Sequence, residues 1–326
     1  MPERRILFVS KGEQASSTRY RAYQFFPGLA GYGYVPRHAT ISGGILAVVD
    51  TLWQARQADI VVVIRKTFPP LLLGLLRRVS RRLVFDLDDA IFCKPDGSHS
   101  ETRMKRFAAM IAASDHVLAG NRFLAEKAAL FNPAVSVIPT CVDVEKYHVA
   151  SDKPQDHVDL VWIGSAATRK YLVDVLPALE MAAQRIPRLR LKIIADFTLP
   201  QTAIPVLAIP WDAATEAAEL ASSHIGIAPL RDDDWSRGKC ALKVLQYMAA
   251  GLPVVSSRTG ANAEIVVDGE TGYLVDDPAQ WAQRIAELAA DAALRRNMGE
   301  AGRARVAGTY ALPGALDAMH RVFSLL

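Results

Sequence analysis

Short apolar runs alternate with longer segments of helical periodicity along the first half of the chain. The runs are apolar throughout or nearly so, which is typical of strands covered on both faces of a sheet. They lie at residues 6–9, 59–64, 83–86, 116–119 and 135–138. Between them, residues 101–114 and 122–130 carry apolar side chains at helical spacing. This pattern predicts a parallel sheet with crossover helices.

A polar stretch at residues 150–156 interrupts the pattern, and the same alternation begins again in the second half. There we expect strands at 160–164, 191–195, 206–209, 225–228 and 253–256, and helices at 171–186, 213–221, 242–250, 278–290, 292–307 and 313–326. The polar stretch is interpreted as a linker between domains at residues 1–150 and 157–309. The predicted fold class is α/β, with two doubly wound Rossmann-like domains facing a cleft. In such sheets, ligands bind outside the carboxyl ends of the strands.

Composition and charge narrow the possible functions. The 326 residues are 51% hydrophobic and 22% charged, which excludes a disordered chain and suits two domains. Residues 1–150 hold 20 Lys/Arg against 13 Asp/Glu, a net of +7, and the remaining 18 against 21 give −3. The total of +4 is too balanced for a dedicated nucleic-acid binder, so no nucleic-acid partner is expected.

The cysteines and the apolar runs indicate a compartment. Three cysteines without a CxxC pair do not build a disulfide framework or a zinc cluster. The sequence shows neither a signal-peptide core near its start nor an apolar run of the ~20 residues that a membrane span needs. We therefore expect a cytoplasmic protein.

Several common catalytic and nucleotide-binding signatures are missing from the sequence. No G-x-G-x-x-G, G-x-S-x-G or H-E-x-x-H occurs, and the P-loop pattern fails because Cys240 follows the Gly-Lys pair. These absences argue against a nicotinamide dehydrogenase, a P-loop nucleotidase, an α/β-hydrolase and a zinc protease.

Residues 229–252, between two predicted strands, combine the features of an anion site. A loop with Gly238 and Lys239 leads into a helix whose first N–H groups point back at the loop. Glycine permits close backbone approach, lysines such as Lys243 neutralise phosphate, and Gln246 could bond sugar hydroxyls. Alternatively, the glycine and proline at the end of this stretch only close a helix and begin a strand. The local chemistry leaves both interpretations open.

Three neighbouring blocks carry a resemblance to a known family. Residues 246–255, 260–266 and 268–275 resemble, in sequence and spacing, the donor domain of retaining, nucleotide-sugar-dependent glycosyltransferases of the GT-B fold, family 4. The resemblance covers residues 158–308 and is weaker in the first half. It implies that a final helix, residues 310–326, crosses back to the first domain.

The resemblance also implies a reaction. A sugar would pass from a nucleotide-diphosphate sugar, which we expect to be UDP- or GDP-linked, to a hydroxyl of a glycan or lipid-linked sugar acceptor. The anomeric configuration would be retained, and the product would belong to polysaccharide, glycolipid or other glycoconjugate synthesis. The nucleotide sugar is a co-substrate, and no cofactor or metal is expected.

The family pattern also implies donor-binding residues. The family has two glutamates eight residues apart, and this chain has Gly238 and Gln246 at those positions. Ser165 stands where an arginine is usual. The donor-binding residues that follow from the resemblance are Gly164, Ser165, Arg169, Lys170, Gly238, Lys239, Lys243, Gln246 and Glu264.

Candidates for the acceptor side follow the strands of the first half. Asp88 stands at about the place of a family histidine, and Asp88, Asp89 and His116 are the catalytic candidates for orienting the acceptor. The acceptor-binding candidates are Arg19, Arg21 and Asn121. The Asp86-x-Asp88 pair also resembles the metal-binding D-x-D of the GT-A fold. Because the two-domain pattern favours GT-B, we expect no metal.

Two questions stay open in the sequence. Residues 71–82 place four arginines beside an apolar run, which suits either a helix lying on anionic lipid at the inner face of the membrane or a crossover helix with a basic end. Because the family glutamates are missing, a non-catalytic sugar-nucleotide-binding subunit is an alternative function. A sugar-nucleotide epimerase on the same fold is another.

Overall fold

The computed structural model describes residues 3–199 and 201–326. In these ranges the strands are β1 (Arg4–Ser10), β2 (Tyr34–Thr40), β3 (Ile60–Ile64), β4 (Leu83–Leu87), β5 (His116–Ala119), β6 (Val135–Val137), β7 (Val158–Ile163), β8 (Leu189–Ile194), β9 (Val206–Ile209), β10 (Ile225–Ala228), β11 (Val254–Ser257) and β12 (Gly272–Val275). The α-helices are α1 (Ser16–Arg21), α2 (Phe26–Gly31), α3 (Ile45–Gln57), α4 (Pro70–Val79), α5 (Glu101–Ala113), α6 (Arg122–Ala129), α7 (Arg169–Arg185), α8 (Glu216–Ala221), α9 (Asp234–Arg237), α10 (Leu242–Ala249), α11 (Gly260–Ile265), α12 (Pro278–Ala290), α13 (Ala292–Thr309) and α14 (Leu312–Leu325). Short 3-10 helices lie at Tyr23–Phe25, Glu145–Tyr147 and Ala166–Thr168.

The chain folds into two compact units, each with a six-stranded sheet. Unit 1 consists of Met1–Cys141, Asp233–Cys240 and Leu312–Leu326, and its strand order is β2-β1-β3-β4-β5-β6. Unit 2 consists of Val142–Asp232 and Ala241–Ala311, with the order β12-β11-β10-β7-β8-β9. Neighbouring strands are parallel throughout, so the carboxyl ends of all strands of a sheet meet at one edge.

Successive side chains of the strands in unit 1 pack on opposite faces of the sheet, and each face carries its own apolar cluster. In β1, Leu7 and Val9 pack into a cluster on one face of the sheet, while Ile6 and Phe8 pack into a second cluster on the other face. Successive side chains of a strand point to opposite faces, so a strand with helices on both sides is apolar at every position. This burial accounts for the continuous apolar runs in the sequence and confirms the predicted doubly wound α/β fold.

The two strands that periodicity does not predict, β2 and β12, lie at the edges of the sheets. β2 contains Pro36, Arg37 and His38, which suit an edge because one side of such a strand makes no ladder hydrogen bonds. β12 is an edge strand of unit 2; all four of its residues are buried, but it is too short to give a clear pattern.

The units are composed differently from the predicted domains at two places. Residues 142–150 belong to unit 2, and Asp233–Cys240 belongs to unit 1 although its neighbours along the chain on both sides belong to unit 2. Tertiary contacts decide to which unit these two segments belong. A change of periodicity or composition along the sequence therefore does not mark them.

The last helix lies on unit 1, as the family resemblance implied. Met319 and Phe323 of α14 are fully buried in the same cluster as Phe8 of β1. Arg4 Nη1 donates a hydrogen bond of 2.8 Å to the carbonyl of Phe323. Among the described residues, no helix is both long and apolar enough to cross a membrane.

A buried ion pair joins α1 to the sheet of unit 1. Arg21 donates from Nε and Nη2 to the two carboxylate oxygens of Asp86 in β4, both at 2.8 Å, and from Nη1 to the carbonyl of Ile138 at 2.8 Å. Both side chains are almost completely buried. Burial alone lowers the pKa of Arg21, but the charge and hydrogen bonds of Asp86 raise it above the usual value. The structure therefore gives Arg21 a structural role in place of the predicted acceptor contact.

We expect Arg21→Met to lower the free energy of unfolding by about 3–5 kcal/mol, because the Asp86 carboxylate would remain buried without its counter-charge. Urea denaturation followed by circular dichroism measures the change. The double variant Arg21→Met/Asp86→Leu should recover most of the loss, since it leaves no charge in the interior. A single variant as stable as the parent protein would contradict this structural role.

Candidate functional site

The strand order of unit 2 locates a crevice at the carboxyl edge of its sheet. From β7 the chain first adds β8 and β9 on one side and then returns to add β10, β11 and β12 on the other. The connections after β7 and β10 therefore leave in opposite directions. In doubly wound sheets, ligands bind at this switch point, outside the carboxyl ends of the two central strands.

The loop after β7 is shaped by close packing around a glycine. A Cβ atom on Gly164 would lie 2.3 Å from Cη2 of Trp162 and 2.8 Å from Oγ1 of Thr168. Ser165 then begins a 3-10 turn, in which its backbone N–H donates to Thr168 Oγ1 at 3.3 Å and its carbonyl accepts from the same hydroxyl at 3.1 Å. The backbone of this loop thus approaches the switch point with little side-chain bulk before Arg169.

Lys243 brings a positive charge to the same loop. It is the second residue of α10, which follows β10 and the short helix α9 along the chain, and Ala241 just before α10 has a left-handed φ of 53°. Its Nζ lies 3.4 Å from Thr168 Oγ1 and 4.2 Å from the centre of the Trp162 ring. The amino end of α10 adds the partial positive charge of its first N–H groups.

Other predicted donor residues lie around this point with different degrees of exposure. Arg169 is exposed and its guanidinium lies 5.4 Å from the centre of the Phe197 ring. Lys170 lies over the Tyr171 ring at 4.8 Å. Glu264, in the short helix α11 that follows β11, is exposed. The loop after β7, Lys243 and Arg169 therefore form the positive part of the edge.

Gln246 has a role inside unit 2. It is buried, and its Nε2 donates to the hydroxyl of Tyr147 at 3.0 Å. That hydroxyl donates to Glu216 at 2.7 Å, and Glu216 also accepts from Trp211 Nε1 at 2.7 Å. Burial alone raises the pKa of Glu216, but these hydrogen bonds and the charge of Lys146 hold it below the usual value. The buried network accounts for the Gln246 amide without the predicted ribose contact.

Two neighbouring carboxylates lie at the carboxyl edge of the unit 1 sheet, and they differ in their partners. Asp89 is buried and pairs with Arg65 Nη2 and, at 3.0 Å, with Lys239 Nζ. Asp88 Oδ1 lies 3.8 Å from Arg65 Nε and accepts no hydrogen bond from the described residues. Burial raises the pKa of Asp88, and the charge of Arg65 opposes that effect. Asp89 is thus neutralised by two cations, whereas Asp88 has a buried oxygen that accepts no hydrogen bond from the described residues.

The structure separates the two carboxylates of the D-x-D pattern. Both carboxylate oxygens of Asp86 accept hydrogen bonds from Arg21, so Asp86 does not face the edge of the sheet together with Asp88. In the described ranges, no group of three or more His, Cys, Asp or Glu side chains is arranged to hold a metal ion.

The segment Asp233–Cys240, here named the inserted segment, is anchored to unit 1 by polar contacts. Asn121 Nδ2 donates to the carbonyls of Arg237 and Lys239 at 3.1 and 3.0 Å, while its Oδ1 caps α6 by accepting from Leu124 N at 2.8 Å. Cys240 Sγ donates to the carbonyl of Asp88 at 3.3 Å. Asn121 therefore anchors a segment of the chain, a role different from the predicted acceptor contact.

Close packing also fixes the inserted segment. A Cβ atom on Gly238 would lie 2.4 Å from Ala90 Cβ and 2.7 Å from Ala90 N. A Cβ atom on Gly120 would lie 2.4 Å from Cys240 Sγ. Glycine at position 238 thus permits contact with the loop after β4, and Lys239 is held at Asp89. The structure places these two residues in unit 1 and the other predicted donor residues in unit 2.

The remaining predicted residues of unit 1 lie at different levels of the sheet. His116 begins β5 opposite Val84, and its Nε2 lies 2.9 Å from Ser136 Oγ. At ~3.3 Å per residue, this level is about 13 Å from that of Asp88. Burial lowers the pKa of His116. Arg19, in α1, lies 5.5 Å from the centre of the Tyr20 ring. The structure thus separates His116 from the two carboxylates.

Sequence reasoning missed three residues that shape these edges. Arg65 directly follows β3, has a φ of 50°, and donates its backbone N–H to the carbonyl of Asp86 at 2.8 Å. Its position directly after an apolar strand could have indicated that it lies at the carboxyl edge of the sheet. Thr168 and Trp162 gave no such signal, because their part in holding Lys243 depends on contacts across the sheet.

The comparisons with known sequences match part of the chain. Residues 157–291 match the family described as glycosyl transferases group 1. The spore coat protein SA of Bacillus subtilis is 38% identical over 61 residues, which are 18% of this chain and 16% of that protein. A D-inositol 3-phosphate glycosyltransferase of Streptomyces avermitilis is 25% identical over 254 residues, or 66% of this chain and 53% of that protein. Both matches span less than two thirds of the curated relative.

Solved structures match nearly the whole chain at low identity. Anabaena HepE in complex with UDP and glucose has a TM-score of 0.74 and 14% identity, covering 99% of this chain and 100% of that one. Sucrose-phosphate synthase from Thermosynechococcus elongatus has a TM-score of 0.77 and 16% identity, covering 99% and 98%. The chain has the GT-B fold of these proteins, and its residues 157–291 are similar to the group 1 glycosyltransferases.

Proposed function

We propose that the protein transfers a sugar from a nucleoside diphosphate sugar to an acceptor hydroxyl with retention at the anomeric carbon, in the synthesis of a polysaccharide, glycolipid or other glycoconjugate. The observation that carries the proposal is the position of Lys243 at the β7/β10 switch point, within the segment that matches the group 1 glycosyltransferases. HepE, whose fold this chain shares, was solved with UDP-glucose, which favours UDP as the nucleotide.

The main requirement of this reaction is to stabilise the negative charge that develops on the leaving group. As the bond to the sugar breaks, negative charge develops on the diphosphate, and fixed positive charge at that point lowers the barrier. Lys243, the first N–H groups of α10 and Arg169 supply this charge from unit 2. In the retaining mechanism, the departing phosphate accepts the proton of the acceptor hydroxyl, so no side-chain nucleophile is required.

Unit 2 as a whole does not attract anions. Unit 2 holds 16 Lys/Arg against 20 Asp/Glu, a net charge of −4, so the electrostatic contribution must come from a few placed groups. Trp162 beneath Lys243 favours the ammonium form through its ring and excludes water from one side of it. An ammonium group held in this way needs little reorganisation when the phosphate charge develops.

Recognition of the acceptor falls to unit 1 in this proposal. Asp88 Oδ1 is buried and accepts no hydrogen bond from the described residues, and Arg65 lies beside it. An acceptor hydroxyl reaches this atom only when Arg65 or another neighbouring side chain moves aside. A sugar hydroxyl is a suitable donor for such an oxygen. Asp89 is less suited, because Arg65 and Lys239 already engage it.

Incubation with UDP-, GDP- and TDP-sugars tests the reaction class directly. Release of free nucleotide together with a new glycoside, with the anomeric configuration read by NMR, is the expected result. An altered sugar nucleotide would instead indicate an epimerase. Nucleotide binding in a thermal-shift assay without any product would indicate a non-catalytic binding subunit.

We expect Lys243→Ala to lower kcat/KM for the donor by about 100-fold or more, since removing one well-placed group that stabilises developing charge costs about 3 kcal/mol. Steady-state kinetics measures the loss. Arg185→Ala is the matched control, because Arg185 is an exposed cation at the far end of α7 in the same unit. Equal activities of the two variants would show that Lys243 does not stabilise the charge on the diphosphate.

We expect Asp88→Asn to raise KM for the acceptor or lower kcat by about tenfold to 100-fold, because hydrogen bonds to a charged group contribute about 1.5–3 kcal/mol. The Kd for the nucleotide, measured by calorimetry, should stay unchanged. Asp96→Asn is the control, since Asp96 is an exposed carboxylate of the same unit. Weaker nucleotide binding without an effect on acceptor kinetics would refute the acceptor role of Asp88.

We expect full activity in excess EDTA, because protein cations supply the positive charge at the diphosphate. Initial rates before and after chelation, and after addition of Mg²⁺ or Mn²⁺, measure the dependence. A loss on chelation that either ion restores would show that a metal takes part.

A further inference from the structure

Helix α3 carries a stripe of large apolar side chains that face solvent. Ile45, Leu46, Val49 and Trp53 have exposed fractions of 82%, 84%, 57% and 63%. The opposite side of the helix is anchored in the core of unit 1 by Ala55 and its neighbours. The helix is thus apolar on both sides, although burial in unit 1 accounts for only one of them.

Helix α4 repeats this arrangement beside α3. Leu73 and Leu76 are buried, whereas Leu71 and Leu75 have exposed fractions of 79% and 44%. The two helices contact each other and pack into the same cluster on one face of the unit 1 sheet. α4 is therefore a crossover helix, one of the two interpretations left open by the sequence, and it also keeps exposed leucines.

The exposed area is large for a surface in contact with water. The six side chains together expose on the order of 700 Å² on two helices that contact each other, whereas the largest apolar patch of a typical monomer is about 300–600 Å². We name the surface formed by Ile45, Leu46, Val49, Trp53, Leu71 and Leu75 the α3–α4 face. A surface of this size is expected to have a partner.

The charge around the α3–α4 face indicates the nature of the partner. Residues 45–82 contain seven Lys/Arg and two Asp/Glu, but Arg65, Arg77 and Arg81 pair with carboxylates. The exposed charged side chains of the two helices are two arginines and Asp50, which lies beside Val49. Arg56 and Arg78 are exposed and lie on the outward sides of the two helices, one turn beyond Trp53 and Leu75. A second copy would bring these charges against the equivalent face with the same charges, because a twofold interface joins the same surface to itself. An anionic lipid surface accepts both the apolar side chains and the arginines.

We propose that the α3–α4 face binds the surface of an anionic membrane, with both helices lying in the plane of the interface. The amino ends of α3 and α4 follow β2 and β3, so they lie at the carboxyl edge of the sheet, the edge that holds Asp88. The membrane-bound protein would therefore present this edge near the lipid headgroups. If the proposed sugar transfer is correct, the acceptor is a lipid-linked sugar, and this last step alone depends on that proposal.

Co-sedimentation of the full chain with vesicles tests the binding. Vesicles of equal parts phosphatidylcholine and phosphatidylglycerol should bind the protein, and vesicles of phosphatidylcholine alone should bind it much more weakly. The variant Ile45→Ser/Trp53→Ser should bind at least about tenfold more weakly, because it lacks two large apolar side chains that would transfer from water into the lipid. Leu130→Ser is the control, since Leu130 is exposed by 74% outside the α3–α4 face.

A second pair of variants tests the charges. Arg56→Gln/Arg78→Gln should weaken binding to the anionic vesicles by about 25-fold, since each arginine near such a surface contributes about fivefold. Arg185→Gln, in unit 2, should leave binding unchanged. Equal and weak sedimentation with both kinds of vesicle would overturn the proposal. A dimer in analytical ultracentrifugation that Ile45→Ser/Trp53→Ser dissociates would also overturn it, in favour of a second copy. Neither outcome bears on sugar transfer to a soluble acceptor, which the product assay measures separately.

Discussion

Burial of both faces of each sheet is the constraint on which this structure depends. When helices cover a parallel sheet on both sides, every strand position is taken up by packing, and polar chemistry has room only at the strand ends. Asp88, Asn121, Arg65 and the Gly164 loop all follow this rule, since each comes within two residues of the end of a strand. Asp86 is an exception that lies inside β4, and it is tolerated there because Arg21 neutralises it within the core. Asp159 in β7 and Lys192 in β8 are further buried charged residues within strands.

This constraint explains why the fold could be predicted well from sequence. Strands β1, β3, β4 and β7 read as continuous apolar runs because both of their faces are buried. β2 could not be recognised in this way, since an edge strand with Pro36 and Arg37 has no need of such a run. The fold of the second unit was easier to predict, because its three motif blocks lie within the segment that matches the group 1 glycosyltransferases.

The candidate site was less predictable because residue type and position along the chain do not reveal partners. Lys243 and Gln246 lie one turn apart on α10, yet one reaches the loop after β7 and the other is buried against Tyr147. Arginine at position 21 suggested an anion contact, but its counter-ion is the protein's own Asp86. Such distinctions depend on which face of a short helix is covered, and only the packed structure settles that.

The inserted segment has a consequence for how the two halves could be separated. The chain passes from one unit to the other at four points, after Cys141, Asp232, Cys240 and Ala311, so neither unit is one continuous stretch of sequence. A fragment ending near residue 141 would lack Phe323 from one core cluster and Cys240 from the other. Exchange of the second half between related genes by a single crossover would therefore pack the first half of one parent against the inserted segment and the last helix of the other. Recombination that preserves the interior of unit 1 would have to carry these two segments together with the first half.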